Sequence, residues 1–296
     1  MSEGCVELDS MNEKSTFIEK LCFSKSLIHF NEFNNVRSIL SSVMKTKLLL
    51  SLYNNKKRLN ALRVDLKKPS APILQGLKEL EKNNLINKFD KYYFLSSTGH
   101  ILTVNLLQLI DKWYSIERNI DFWRNHDISP IPQEYLEEIA IFKNAENIVS
   151  DENNLTKPLN EYLKLISNAN RLKIILPIFS KAHLDAIIHS LDNNCSIELI
   201  VDENIFESIA NKIDGKKLFK NLKNNEKRKN LKIWIVKENL KLFFTICEDF
   251  LSLSLFFEDG EYNNGSILVD KSEKGVNWGL KLFNHYKKTA NPVILL

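Results

Sequence analysis

Glycine is scarce, with 8 in 296 residues, and no Gly-x-Gly-x-x-Gly or Gly-x-x-x-x-Gly-Lys run occurs. Loops that hold phosphates against bare backbone need those glycines, so Rossmann-type and P-loop nucleotide sites are not expected. The four cysteines, Cys5, Cys22, Cys195 and Cys247, stand far apart and form no Cys-x-x-Cys pair. They read as reduced thiols rather than a disulfide framework or a zinc site. No stretch nears the roughly 18 consecutive apolar residues that cross a bilayer. Met1 to Glu13 lacks the basic start and apolar run of a secretory signal. The expectation is a cytoplasmic protein with no cofactor, no metal and no membrane partner.

What is present is a globular composition, 44% hydrophobic and 26% charged, with an uneven spread of charge. Between Val36 and Ser97 stand 13 Lys or Arg against 4 Asp or Glu, a net charge of +9. The whole chain carries +4, so everything outside that window carries −5. A basic module on a mildly acidic body suits a polyanion partner, although a solvated lysine-rich surface would look the same by charge alone.

Local pattern favours the first reading. Val36 to Tyr53 carries apolar residues at helical period, Asn54 to Arg58 interrupts it, and Leu59 to Leu66 fits a short second helix. After the Lys67-Lys68-Pro69 turn, Ser70 is expected to cap a third helix, roughly Ala71 to Asn83, with Pro72 in its first turn. Leu85 to Phe89 and Tyr92 to Ser96, separated by Asp90-Lys91, read as a hairpin. That order is a winged helix-turn-helix, whose recognition helix enters the major groove by its amino-terminal end. Ser70, Ala71, Gln75 and Lys78 are the candidate base-facing residues, with Gln75 suited to adenine and Lys78 to guanine or phosphate. Lys56, Lys57, Arg58, Lys67, Lys68, Lys88 and Lys91 are candidate phosphate contacts. Thr98 to Asp121 is the longest periodic segment and is apolar on more than one face, as a linker helix that also joins a homodimer would be.

Beyond it, Leu172 to Phe179, Ser196 to Val201 and Leu231 to Val236 are strand-like and alternate with helical patterns at Lys181 to Leu191 and Asn204 to Leu222. Closely spaced strands follow at Lys241 to Cys247, Phe250 to Phe257 and Ser266 to Val269, before a last helix at Glu273 to Thr289. The fold class is therefore multi-domain α/β with a mixed sheet in the carboxy-terminal domain. The expected organisation is an extension at 1–35, partly disordered and with a helix at Thr16 to Phe33. A winged helix follows at 36–97, a linker helix at 98–121 and an α/β regulatory domain at 122–296. Asp151 to Pro158 reads as a polar loop. His183 and His189, six apart on one predicted helix, do not share a face as metal ligands would.

Three stretches carry a family resemblance. They are Leu74 to Glu81 with Tyr92 to Gly99; Phe122-Trp123-Arg124-Asn125-His126-Asp127 through Pro132 with Leu136 to Ile139; and Leu255 to Tyr262 with Asn277 to Phe283. On them the chain resembles archaeal winged-helix transcriptional regulators of the methanogenesis-regulator type. The resemblance implies a regulator with a carboxy-terminal sensing or oligomerising domain whose strand order resembles a phospholipase D-like fold. Enzymes of that fold carry His-x-Lys-x-x-x-x-Asp. Here Asn239 stands at the nucleophile and Ile246 at the acid, with Lys241 alone retained, and Asn cannot form a phosphohistidine. No catalytic residues are therefore expected. Trp123, His126, Lys241, Tyr262 and Trp278 are candidate effector contacts; large aromatics filling a core, and a hydrogen-bonded structural histidine, are the plainer readings. The functional expectation is a DNA-binding regulator, a homodimer, with a small-molecule effector. The alternatives are a winged helix that docks proteins, or a phosphodiesterase.

Overall fold

Ser42 divides the first expected helix. Its backbone is extended and its hydroxyl accepts the Lys45 N–H at 3.4 Å, so it caps α1, Val43–Leu52, while residues 37–40 form a separate turn. Periodicity cannot show such a cap, because Ser42 lies on the polar side of the pattern. The computed structural model describes residues 37–211 and 230–293. Val36, the 1–35 extension with Thr16 to Phe33, and the far end of the Asn204 to Leu222 pattern lie outside the described residues.

The chain divides into two units, Met1–Gln108 and Leu109–Leu296, with the division inside one helix. In the first, α2 is Leu59–Leu66 and α3 is Ser70–Lys82. Ser70 is not a cap: it already belongs to α3, and Pro69 takes the N-cap with no side-chain bond. Proline has a fixed φ and no N–H, and so supplies the extended entry that a serine cap would otherwise give. Strands β2, Ile86–Phe89, and β3, Tyr92–Leu95, pair antiparallel from Ile86 opposite Leu95 to Phe89 opposite Tyr92. Asp90 and Lys91 between them both have positive φ, 45° and 66°, the requirement of a two-residue hairpin turn. A further strand, β1, Lys57–Arg58, adds to the outer side of β3, giving the order β1-β3-β2. Two residues carry no periodicity, so the sequence shows only a polar interruption there. Leu48, Leu49, Leu52, Leu62, Ile73, Leu77, Leu80, Ile86 and Tyr93 form the core of this unit.

Helix α4, Ser97–Arg118, follows the wing, and α5, Ile120–Arg124, follows that. After α6, Gln133–Leu136, and a 3-10 turn at Ile139–Asn144, the second unit builds an eight-stranded sheet. Its strands are β4, Glu146–Val149; β5, Arg171–Ile175; β6, Ser196–Asp202; β7, Leu231–Val236; β8, Leu242–Ile246; β9, Leu251–Leu255; β10, Ser266–Asp270; and β11, Asn291–Pro292. Their order is β11-β7-β6-β5-β8-β9-β10-β4, with β5, β6 and β7 parallel and the other pairs antiparallel.

Adjacent residues serve opposite faces. Ile174, Leu199, Phe243 and Ile267 pack under α7, Lys157–Ser167, α8, Lys181–Asp192, and α9, Glu203–Asn211. Ile175, Ile200, Phe244 and Leu268 pack under α5, the 3-10 turn and α10, Glu273–Thr289. Burial on both faces explains why these strands read as continuous apolar runs. The polar loop expected at Asp151 to Pro158 is shorter than that, because Pro158 is buried in the first turn of α7. Among the described residues no helix is long and apolar enough to cross a membrane.

Candidate nucleic-acid interface

Helix α3 buries Ile73, Gly76, Leu77 and Leu80 and leaves Ala71, Leu74, Gln75, Lys78 and Lys82 exposed; Ser70 is half-buried. Gln75 is turned along its own helix, its amide donating to Glu79 Oε1 at 3.4 Å. Glu79 in turn holds Lys45 at 3.0 Å, and that contact keeps its carboxyl below the usual range. Asp65 is likewise held by Lys57, at 2.5 Å, and by the Ser51 hydroxyl, which lower its pKa. Two of the four carboxylates of the basic window are thus turned to internal partners.

Beside α3, seven further cations fall in two groups. At the α2–α3 turn, Arg63, Lys67 and Lys68 line an open depression of about 620 Å³ with Asn60, Val64 and Pro69. Lys67 ends α2 in left-handed geometry, φ 50°. On the wing, the cations ride on the tyrosines of β3. Arg58 lies 4.5 Å and Lys56 5.2 Å from the Tyr92 ring centre, and Lys88 lies 5.5 Å from that of Tyr93. Arg58 is opposite Tyr92 and Lys88 opposite Tyr93 in the strand register, so pairing itself places each charge on a ring. Lys91 is exposed at the hairpin tip. Lys57 differs from the other candidates, since its charge is spent on Asp65. Arg63 is exposed at the edge of the α2 face that carries Leu59 and Leu66, and no spacing in the sequence sets it apart from the other cations.

The five candidate effector residues do not gather into one site. Trp278 is 1% exposed, donates its indole N–H to the Tyr135 carbonyl at 3.0 Å, and packs edge-on against Tyr135 and Phe142. It is core. Trp123 packs against the same cluster. His126 is buried between the Phe122 carbonyl at Nδ1 and Asn263 at Nε2, and stacks on Phe257; burial holds its pKa below the usual histidine value. Lys241 lies 3.6 Å from Asp127, at a cleft of about 580 Å³ that it shares with Lys237, Glu238, His285 and Tyr286. Tyr262 lines a different cavity, with Tyr162, His183 and Phe243. Ile246, at the acid position of the degenerate motif, is buried in β8. Cys195 and Cys247 are buried thiols whose pKa values burial pushes up to about 11 and about 12, which leaves them unreactive. Among the described residues no group of three His, Cys, Asp or Glu could hold a metal ion.

Two family models match this chain. The N-terminal domain of methanogenesis regulatory protein FilR1 matches residues 33–113, and its middle domain matches residues 155–289. Methanogenesis regulatory protein FilR1 of Methanothrix harundinacea (strain 6Ac) is 28% identical over 260 residues, covering 86% of this chain. The chain belongs to the FilR1 family. It spans 57% of the length of that curated relative. Among solved structures it is similar to TrmBL2, an archaeal chromatin protein, at 14% identity and a TM-score of 0.40 over 85% of this chain and 94% of that one. It is also similar to phosphatidylserine synthase of Haemophilus influenzae Rd KW20, at 12% identity and a TM-score of 0.38 over 50% and 40%. Overlaps that loose say nothing of function.

In this FilR1-family chain the motifs that carry the resemblance are stitches between distant segments. The first ties the wing to α4: Ser96 Oγ donates to the Asn84 carbonyl at 2.6 Å and accepts the Gly99 N–H at 3.0 Å. The second and third dock on each other. The Asp127 N–H donates to the Phe256 carbonyl at 2.8 Å and Lys281 Nζ donates to Glu138 at 3.0 Å; just outside the third stretch, Asn263 meets His126 and Tyr286 donates to the Pro130 carbonyl at 2.5 Å.

Proposed function

We propose that this chain is a transcription regulator that binds duplex DNA through its winged helix. The observation that carries the reading is the arrangement of charge: Arg63, Lys67 and Lys68 beside the start of α3, Lys78 on its exposed side, and Lys56, Arg58, Lys88 and Lys91 on the wing. Asp65 and Glu79 are meanwhile engaged by Lys57 and Lys45. Ala71, Gln75 and Lys78 would meet base edges, and the two cation groups would straddle the groove on phosphates. The name of the FilR1 relative supports a regulator. Affinity for DNA from its own promoter should fall with salt at a log–log slope near −0.9 per phosphate contacted. A Lys67→Glu, Lys68→Glu, Lys88→Glu variant that keeps full duplex affinity would instead favour a protein-docking head.

We further propose a homodimer and an effector-sensing second unit. For the dimer the supporting observation is a run of exposed apolar side chains on α4: Leu109 at 55%, Ile110 at 42%, Trp113 at 58% and Tyr114 at 52%. Single exposed apolar residues need no explanation, but four on neighbouring turns form a patch. The sensing reading rests on the extent of the sheet domain and on its cavities.

A further inference from the structure

The wing carries an aromatic ring that the fold leaves in water. Phe89 ends β2 directly before the Asp90–Lys91 turn and is 77% exposed, more than any other large apolar side chain among the described residues. Strand register sets it opposite Tyr92, and Tyr92 opposite Arg58, so Arg58, Tyr92 and Phe89 form one row across β1, β3 and β2. The next residue of β3, Tyr93, is buried in the core of the unit, so the row lies on the opposite, outer face of the sheet.

The charge around the ring favours one kind of partner. Lys88 stands before Phe89 and Lys91 at the tip, both exposed, while Arg58 and Lys56 lie 4.5 Å and 5.2 Å from the Tyr92 ring centre. Asp90 is the one acid of the hairpin. A protein with an apolar hollow for Phe89 would have to strip water from several of these cations. A duplex instead offers stacked, apolar base faces between two rows of phosphates, so ring and cations are met together. The tip is also narrow. Two residues with positive φ close it, so its backbone is one strand pair wide, about 5 Å, against roughly 6 Å for a minor groove.

We propose that the wing tip is a minor-groove wedge: Phe89 enters at a base step, partly unstacks it and bends the duplex, while Lys88, Lys91 and Arg58 hold the flanking phosphates. The proposal deepens the DNA-binding reading and rests on it, because α3 must first seat the head on the duplex. It adds a source of sequence preference outside the bases that α3 meets. Pyrimidine–purine steps unstack most easily, so such a step is favoured under the wing.

The test uses the full chain and a promoter duplex with a donor dye at one end and an acceptor at the other. Anisotropy reads affinity and energy transfer reads the bend. The native chain is expected to bend the duplex by about 20–90°. Phe89→Ala, which removes an exposed side chain and so leaves the fold intact, should bind about tenfold more weakly, with an unbent duplex and an unchanged salt slope. Phe89→Leu keeps an apolar wedge and should restore part of the bend. Native binding without a bend, or a bend of the same size with Phe89→Ala, overturns the wedge, keeps the DNA-binding reading and leaves the ring to a protein contact. A native chain that does not bind duplex DNA at about 50 mM salt overturns both.

Discussion

Gly99 shows how much one residue can fix. A Cβ there would lie 1.8 Å from the Leu85 carbonyl oxygen, so the first turn of α4 could not close against the base of the wing. Gly99→Ala should therefore cost about 1–3 kcal/mol or more, as overpacking a tight contact does, seen as a lower thermal midpoint; an unchanged midpoint would mean the contact is not close. His183 makes a pH prediction. Burial pulls its pKa from 6.5 to about 4, and the groups facing it, Tyr162, Phe243 and Tyr262, carry no charge near neutrality. Burial raises both tyrosines, Tyr262 up to about 12. The native ring thus stays neutral while the unfolded one takes a proton. Stability from this group is complete above pH 6.5 and is lost as pH falls toward 4, by about 3 kcal/mol in all. His183→Phe should remove that slope from urea melts across this window; an identical slope would place the acid sensitivity elsewhere.

Elements were legible in the sequence to the degree that their own residues encode them. Leu59–Leu66 and Glu273–Thr289 fall where periodicity puts them, and the parallel β5-β6-β7 core follows from strand–helix alternation. Strand β1 was invisible because two residues have no period, and α7 because Pro158 reads as a loop residue until its place in a first turn is known. The interface shows the same division. Its cations could be counted from the sequence, but their pairing depends on register: Lys57 faces Asp65 only once β1 and α2 are placed. This sorts the cations into two kinds with different expected behaviour. Arg63→Ala should lower the salt slope of DNA binding by about one contact, 0.9, because the residue stands at the α2–α3 depression. Lys57→Ala should leave the slope alone and cost stability through Asp65. The reverse pattern would show that the internal pair opens on DNA.

At the scale of the molecule, one winged helix reads a short half-site, and useful specificity asks for two held at a fixed spacing near one helical turn. The residues that would hold them are the least explained by the chain's own packing. Leu109, Ile110, Trp113 and Tyr114 occupy neighbouring positions on α4 and stay about half exposed, while Ser115 on the same helix is fully buried and bonds the Ile139 carbonyl at 2.8 Å. One side of this stretch is thus committed to its own unit and another is left apolar in water. A second copy of the chain is the partner that a symmetric operator would demand, and a twofold contact would bring the same four residues together from each side. Trp113→Glu places a charge at the centre of that patch without touching the buried side. Light scattering at tens of micromolar should show a dimer for the native chain and a monomer for the variant, and the variant should lose operator affinity while keeping its salt slope per head. A native chain that remains monomeric both alone and on DNA would assign the exposed face to a different protein and leave each head to read its half-site alone.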